Sequence, residues 1–209
     1  YKISIGVKQQ KRNLINRRLI KLKKKYILYV SHFYRYKNFE QLILAYSKLP
    51  KIMKLNFRLK LVGNFSDKQY VERMRKLSRE LKIEHLIEFI PNLQGDALNK
   101  LYKNASLFVF PSRIENCPNI LLEAMSFSLP VLVVKTEPMP EFAGNAAKYF
   151  KLDDVFDLSK KINLILTSNS LLIKMSNMSY ARSRQYSWDL FTEKVINLSG
   201  QIYLKNKKK

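Results

Sequence analysis

The sequence predicts an α/β protein with a Rossmann-like, doubly wound parallel sheet and additional helices at its C-terminal end. Short continuous apolar runs, typical of strands buried on both faces, recur along the chain. Segments with helical spacing of apolar residues alternate with these runs, which favours right-handed βαβ units. After Asp153 only helical patterns occur.

The first two units are the clearest. The run Ile27–Val30 is continuously apolar, and Phe39–Leu49 then places its apolar residues at helical spacing. Phe57–Val62 has strand character and ends at Gly63. Asp67–Leu81 follows as an amphipathic helix.

The middle of the chain repeats this order with shorter elements. Leu86–Ile90 is predicted as a strand and Ala97–Tyr102 as a short helix. The apolar run Leu107–Phe110 is predicted as a buried strand, and Asn119–Phe127 as the helix after it. Another buried strand is predicted over Pro130–Val134.

The last predicted strand is Lys148–Lys151. Three helices are expected to follow it, over Val155–Leu166, Leu171–Tyr186 and Trp188–Leu204. Ser187 precedes the last of them as an N-cap, because its hydroxyl can accept from a free backbone amide.

Domain organisation is predicted from the same patterns. Residues 1–25 are expected to be a basic connector, with a candidate strand at Ile3–Val7; residues 26–187 form the Rossmann-like domain, and residues 188–209 form a final crossing helix with a basic tail. Because the chain starts at Tyr1 rather than Met, we interpret it as part of a longer protein.

The chain is strongly basic, with 39 Lys and Arg residues against 16 Asp and Glu residues and a formal charge of +23. Such a field attracts polyanions, which include nucleic acid, anionic lipid and phosphorylated ligands. A lysine-rich genome and solvated helix faces are the alternative explanation. Segment Lys8–Lys25 contains no acidic residue, so an anionic membrane surface is a candidate partner. No nucleic-acid-reading motif is present, and nucleic acid is not expected as a partner.

Cysteine and histidine are too few for a metal site. Cys117 is the single cysteine, and the histidines are His32 and His85. A metal site built from histidine and cysteine is therefore not expected. A chain without paired cysteines fits a reducing compartment, and with no apolar run long enough to cross a bilayer we expect a cytoplasmic protein, peripheral at the inner face of the membrane.

Two glutamates eight positions apart carry the clearest chemical signal. Glu115 lies in the loop after the strand Leu107–Phe110, and Glu123 lies one turn into the next helix. In a doubly wound sheet, ligands bind at this edge, facing helix N-termini. The pair fits carboxylates that accept hydrogen bonds from sugar hydroxyls beside a phosphate. General acid/base chemistry across one bond, or two ordinary surface glutamates, are the alternatives.

The flanking sequence resembles the C-terminal, nucleotide-sugar-binding domain of family 4 (group 1) glycosyltransferases of GT-B fold. The resemblance covers roughly residues 26–190 and includes the Glu-x7-Glu signature of retaining enzymes. The other matching landmarks occur in the family's order: Ile27–Lys37, Leu59–Gly63, Phe89–Leu93, Phe108–Ser112, Leu122–Met125, Leu129–Val131, Pro140–Gly144 and Ser187-Trp188.

The resemblance implies a role for each matching residue. Glu115 would contact the donor sugar, and Lys37 would neutralise the diphosphate leaving group. Glu123 would bind the ribose hydroxyls. The backbone of Leu93 would contact the nucleobase. The remaining substrate-binding candidates are the amides of Asn119 and Ile120, which would hold the distal phosphate, and the loop residues Asn116 and Cys117.

Two departures from the family pattern concern the same site. His32 stands where the family usually has an arginine five residues before Lys37. Arg35 either replaces that charge or points to solvent. The loop Asn116-Cys117-Pro118-Asn119 replaces a common glycine-rich segment, and we interpret it as a donor-specificity variant. Cys117 has no histidine near it in sequence, so it is not expected to be a nucleophile.

The function expected from the resemblance is retaining transfer of a sugar from a UDP-, GDP- or ADP-sugar. The resemblance implies no bound metal and no cofactor, because the lysine, the amides and the helix dipole would do the work of a divalent ion. The acceptor would be a glycan or a lipid-linked molecule, in synthesis of cell-surface polysaccharide. The chain would be the donor-binding half of the enzyme, and the isolated half is expected to bind nucleotide with little or no turnover. The alternative is a non-catalytic basic α/β module that binds nucleic acid or anionic membrane.

Overall fold

A computed structural model describes residues 6–10 and 25–207 of the chain, with the side chains of the last helix described through Tyr203. Most of the predicted basic connector and of the strand Ile3–Val7 therefore lies outside the described residues. Val7 itself forms a parallel bridge with Ser187, and its amide donates to the Tyr186 carbonyl oxygen at 2.6 Å. This short segment thus lies against the start of the last helix.

One sheet of six parallel strands forms the centre of the domain, as predicted. Its strand order is β3-β2-β1-β4-β5-β6. The strands are β1 (Lys25–Val30), β2 (Phe57–Gly63), β3 (Ile87–Pro91), β4 (Leu107–Phe110), β5 (Val131–Val134) and β6 (Ala147–Phe150). Both β4 and β5 are buried along their whole length, which explains their continuous apolar sequence.

The strand order reverses between β1 and β4. These neighbours share only two register pairs, Ile27 with Leu107 and Leu28 with Phe108, whereas β1 pairs with β2 from Lys25 to Val30. Because the crossover connections leave β1 and β4 in opposite directions, their carboxyl ends diverge and form a crevice. The fold thus places a binding crevice at this edge.

Within the described residues, helices pack on the sheet, and three helices follow the last strand. The α-helices are α1 (Phe39–Ser47), α2 (Lys51–Asn56), α3 (Lys68–Glu80), α4 (Gly95–Asn104), α5 (Asn119–Ser126), α6 (Met139–Ala143), α7 (Val155–Thr167), α8 (Asn169–Ser183) and α9 (Trp188–Lys207). Short 3-10 turns occur at Arg35–Lys37, Glu84–Leu86 and Gly144–Ala146.

Capping side chains explain where several helices begin. The predicted cap at Ser187 is confirmed, since its hydroxyl accepts from the Leu190 amide at 3.1 Å. Asp67 caps α3 through the Tyr70 amide. Helix α8 begins two residues earlier than predicted because the Ser168 hydroxyl accepts from the Leu171 amide.

Candidate functional site

A cavity of about 300 Å³ lies at the carboxyl ends of β1 and β2, beside the point where the strand order reverses. Apolar side chains, side-chain amides and one cation contribute to its wall. The lining residues are Val30, Ser31, His32, Lys37, Gly63, Asn64, Asn92, Leu93, Gln94, Leu98 and Ile120. The wall thus offers apolar surface together with both hydrogen-bond donors and acceptors.

Close backbone packing shapes this cavity at the ends of β1 and β2. The Ser31 amide donates to the Val62 carbonyl oxygen at 2.9 Å. A Cβ atom built on Gly63 would lie 1.7 Å from the Ser31 carbonyl oxygen. Glycine is therefore required at the end of β2 because no side-chain carbon fits between these two backbone segments.

Lys37 lies at the end of the loop that follows β1, in the 3-10 turn Arg35–Lys37. The hydroxyl of Tyr29, a buried residue of β1, donates to the Lys37 carbonyl oxygen at 2.8 Å and so fixes the loop to the sheet. The Lys37 Nζ lies 2.7 Å from Glu115 Oε1, and the two side chains are 12% and 11% exposed. The ammonium also lies 4.9 Å from the centroid of the Tyr36 ring.

Glu115 belongs to the loop after β4, as predicted from sequence. A backbone contact of Arg113 holds this loop against the β1 loop, and a side-chain contact of the same residue holds it against the loop after β6. The Arg113 amide donates to the Tyr36 carbonyl oxygen at 2.8 Å, and the Arg113 guanidinium forms a bidentate ion pair with Asp153. Lys37 and Glu115, 78 positions apart, are thereby brought into one ion pair across the crevice.

Glu123 lies on α5, one turn after Ile120, and is partly buried. The hydroxyl of Tyr102 donates to Glu123 Oε2 at 3.2 Å. Burial raises the pKa of the Glu123 carboxyl above its usual value, and the hydrogen bond from Tyr102 acts in the opposite direction. The predicted placement of Glu123 one turn into the helix is confirmed.

The N-terminus of α5 faces the same loop. The Asn119 amide donates to the Cys117 carbonyl oxygen at 2.9 Å and is therefore engaged within the chain. Within the part of the chain that the structure describes, the amides of Ile120 and Leu121 donate no hydrogen bond. These two groups are free donors of the kind that hold anions at helix N-termini.

Cys117 is partly buried, and its Sγ lies 3.3 Å from Asn119 Oδ1. Burial, followed by the charges of Glu115 and Glu141, raises the pKa of the thiol above its usual value. A thiol with a raised pKa forms little thiolate at neutral pH, which agrees with the expectation that Cys117 is not a nucleophile.

The predicted residues fall into two groups. His32, Lys37, Leu93 and Ile120 line the cavity together, and the ion pair joins Glu115 to them. The others do not line it: they are Arg35, Asn116, Cys117, Asn119 and Glu123.

The position that lacks the family's usual arginine is filled by an imidazole. His32 is exposed, and its ring lies 6.2 Å from that of Tyr34. Arg35 is also exposed, in the 3-10 turn that precedes the cavity lysine. The structure therefore places the Arg35 guanidinium at the surface of the loop rather than among the lining residues.

Three lining residues and one neighbour of Glu123 were not predicted from sequence. Asn64, Asn92 and Gln94 contribute side-chain amides, and Tyr102 supplies the hydroxyl next to Glu123. Their sequence signal is positional: Asn64 directly follows β2, and Asn92 directly follows β3. Residues that follow parallel strands meet at one edge of the sheet, so the strand ends could have identified both asparagines.

Two properties of the described residues complete the site's description. Among residues 6–10 and 25–207 there is no cluster of three His, Cys, Asp or Glu residues that could hold a metal ion. In the same residues, no helix is both long and apolar enough to cross a membrane.

The fold and the crevice define a Rossmann-like, doubly wound α/β domain whose site lies at the strand-order reversal. Residues 10–184 match the family described as "Glycosyl transferases group 1". The chain belongs to this family, and the predicted family and fold are confirmed.

Known relatives support the same assignment. The chain is 29% identical over 182 residues to an uncharacterized glycosyltransferase of Haemophilus influenzae, covering 86% of this chain and 49% of the relative. It is 30% identical over 174 residues to the O-antigen chain mannosyltransferase B of Escherichia coli, covering 82% and 45%. The chain thus spans about half the length of these relatives.

Solved structures show the same fold. WaaG, a glycosyltransferase involved in lipopolysaccharide biosynthesis, superposes with a TM-score of 0.75 at 20% identity, over 94% of this chain and 55% of WaaG. The Anabaena protein HepE, solved in complex with UDP and glucose, gives 0.77 at 16% identity, over 90% and 52%. At these identities the likeness shows the fold alone.

Proposed function

We propose that this chain is the donor-binding half of a retaining glycosyltransferase. It would take a sugar from a nucleoside diphosphate sugar and pass it to a glycan or lipid-linked acceptor in cell-surface polysaccharide synthesis. Support comes from the O-antigen mannosyltransferase relative, from WaaG and from the HepE complex with UDP and glucose. The chain's half-length match to these proteins supports the assignment to one half.

The ion pair between Lys37 and Glu115 carries the proposal. A lysine held 2.7 Å from a glutamate at the wall of the cavity provides a cation for the diphosphate and a carboxylate for the sugar hydroxyls. The free amides of Ile120 and Leu121 add hydrogen-bond donors for the distal phosphate. Together these groups would stabilise the charge on the departing diphosphate without a metal ion.

The nucleoside would occupy the cavity itself. Leu93 lies in its wall, where the backbone can contact the base, and Glu123 would accept hydrogen bonds from the ribose hydroxyls. His32 lines the cavity beside Lys37 and takes the place of the usual arginine, while Arg35 contributes long-range charge from the surface.

The acceptor half would lie on another part of the enzyme. Helix α9 supports this, because it exposes large apolar side chains, Trp188 at 52%, Ile196 at 64% and Tyr203 at 60%. Exposed apolar residues of this size on one helix are typical of an interaction surface. We therefore expect the isolated chain to bind nucleotide and to transfer little or no sugar, which an assay with purified chain and labelled donor tests.

A contact with anionic membrane is the second part of the proposal. Helix α2 exposes Ile52 at 62% and Leu55 at 58%, and Lys51 and Lys54 flank them. Apolar residues beside lysines favour adsorption to an anionic lipid surface. Sedimentation with vesicles of phosphatidylglycerol should retain the chain, and neutral vesicles should not.

Calorimetric titration with UDP, GDP and ADP tests the proposed donor site. We expect saturable binding of one nucleotide, which identifies the base, and loss of that binding in Glu123→Ala. A nucleotide held in the cavity should lose affinity only modestly with added salt, whereas polyanion binding on the basic surface should collapse. Salt-sensitive RNA binding without nucleotide binding would favour the basic-module alternative.

A further inference from the structure

The side chains of Tyr102 and Glu123 form a hydrogen-bonded pair between helices α4 and α5. The Tyr102 hydroxyl donates to Glu123 Oε2 at 3.2 Å. Tyr102 is completely buried, whereas Glu123 is partly exposed. One member of the pair therefore belongs to the core, and the other can be reached by a ligand.

Helical spacing places this pair next to residues of the cavity wall. Leu98 on α4 and Ile120 on α5 both line the cavity. Tyr102 follows Leu98 by four residues and Glu123 follows Ile120 by three, so each shares a helix face with a lining residue. The two helices thus bring the hydroxyl and the carboxylate together next to the nucleoside space.

The tyrosine ring is held rigidly. It stacks on Phe127 with centroids 5.1 Å apart and an interplanar angle of 13°, and the Phe108 ring lies 6.1 Å away. Burial keeps the pKa of Tyr102 well above the usual value for tyrosine, so the hydroxyl remains a donor at neutral pH. A fixed donor restricts the orientation of the carboxylate it binds.

We infer that Tyr102 is a positioning residue, whose hydroxyl occupies one carboxylate oxygen of Glu123 and leaves the other to accept from the ribose hydroxyls of the nucleotide. This inference rests on the proposed function, in which Glu123 binds ribose. A carboxylate whose orientation is already fixed loses less rotational freedom when ribose binds. Its contact with ribose is therefore stronger than that of a freely rotating carboxylate.

The same hydrogen bond favours the ionised form of Glu123, because a hydroxyl donates better to a carboxylate than to a carboxylic acid. Burial alone pushes the pKa of Glu123 upward. Helix α8 also packs against α5 and carries a cation, Arg182. The Arg182 guanidinium donates to the carbonyl oxygens of Glu141 and Phe142 rather than to the Glu123 carboxylate. Removing the Tyr102 hydroxyl should therefore let Glu123 take up its proton at higher pH.

The test compares Tyr102→Phe with the unaltered chain, using the nucleoside diphosphate that the unaltered chain binds and its 2′,3′-dideoxy counterpart. We expect the substitution to weaken the ribonucleotide about tenfold, as for loss of a charge-assisted hydrogen bond. Affinity for the dideoxy nucleotide should stay within about twofold, because it makes no ribose hydroxyl contact. Both nucleotides carry the same diphosphate, so phosphate titration does not affect the ratio of their affinities. As the pH is lowered, the preference for the ribonucleotide should begin to fall at a higher pH in Tyr102→Phe than in the unaltered chain.

Tyr46→Phe is the matched control. Tyr46 is also completely buried, and its hydroxyl donates to the Phe57 carbonyl oxygen at 2.9 Å, outside the residues that line the cavity. This variant loses a buried hydroxyl of the same kind, so it should leave the ratio between the two nucleotides unchanged.

A second measurement needs no nucleotide. Carbon-13 NMR titration of the Glu123 carboxyl should give a higher pKa in Tyr102→Phe than in the unaltered chain. An equal loss of both nucleotides, an unchanged ratio or an unchanged pKa overturns the inference. Absence of nucleotide binding to the unaltered chain, with the pKa still raised in the variant, refutes the ribose role and the proposed function but not the Tyr102 effect on Glu123.

Discussion

The Lys37 ammonium and the Glu115 carboxylate form an ion pair at 2.7 Å and neutralise each other's charge. We nevertheless propose that these two side chains contact different parts of the donor. The lysine would face the diphosphate and the glutamate the sugar. A bound donor must therefore compete with, or share, an existing ion pair. Under this proposal, the affinity of the site for a bare nucleotide would be set partly by Glu115, although its carboxylate is assigned to the sugar and not to the nucleotide.

Replacing Glu115 with Gln should strengthen binding of the nucleoside diphosphate by about three- to tenfold, because Lys37 is no longer neutralised. The free chain should lose stability, on the order of 1–3 kcal/mol, since a nearly buried ammonium is left uncompensated. Calorimetry and urea unfolding measure the two effects. Glu88→Gln is the control, because it removes the Lys60–Glu88 pair at 2.8 Å, and neither partner lines the cavity. Equal nucleotide affinity in Glu115→Gln and the unaltered chain contradicts the competition.

Replacing Gly63 with Ala should destabilise the fold by about 3 kcal/mol or more, as for severe overpacking. The added carbon would lie 1.7 Å from the Ser31 carbonyl oxygen, and the sheet prevents either segment from moving away. Thermal unfolding measures the loss. Gly200→Ala in α9 is the control: within the described part of the chain its Cβ meets nothing within 4 Å, so the helix should gain about 0.5–1 kcal/mol. A stable Gly63→Ala chain would show that the strand ends can separate.

Ser128 should be replaceable by Gly with a gain of about 1 kcal/mol in unfolding free energy. Its φ is 62°, which costs energy for any residue with a Cβ, and its buried hydroxyl has no hydrogen-bond partner among the described residues. Ser128→Ala removes only the unpartnered hydroxyl and keeps the strain. Urea unfolding should therefore rank Gly above Ala; the reverse order would mean that the left-handed backbone is not the main cost.

The stability of Glu123→Gln relative to the unaltered chain should depend on pH. The folded-state pKa of Glu123 is raised by burial, so folding favours the protonated form. That favourable contribution is complete below the unfolded-state pKa, about 4.3, and is lost as pH rises through the folded-state value. The glutamine variant should therefore gain relative stability between pH 4 and pH 7. A flat difference across this range contradicts the raised pKa.

Much of the sheet was predictable from sequence because β1, β4 and β5 are buried along nearly their whole length and therefore consist of continuous apolar runs. The strand Leu107–Phe110 has the predicted bounds. Helix α2 was not predicted because only Met53 of its six residues is buried. A single buried residue gives no helical spacing of apolar residues that the sequence could reveal. Helix α6 was missed because it has five residues, with Pro140 at its second position.

The candidate site was predictable from sequence only for residues that lie close together along the chain, within or directly after one predicted strand or helix. Glu115 and Glu123 fall within one strand-loop-helix unit, so their relative position follows from local sequence. The contact of Tyr102 with Glu123 joins residues 21 positions apart through the packing of two helices. The contact of the Asn119 amide with Cys117 depends on the turn that the loop adopts. No sequence period encodes either contact.

The reversal of strand order also divides the proposed donor site between two parts of the chain that could be inherited separately. Residues before β4 supply Lys37, Leu93 and the side-chain amides of the cavity wall, and residues after its start supply both glutamates and the α5 N-terminus. A chimaera joined between Asn104 and Leu107 would therefore combine the residues proposed to contact the base and the diphosphate in one relative with those proposed to contact the ribose and the sugar in another. The donor preference of such a chimaera would show whether each part of the chain selects its own portion of the donor.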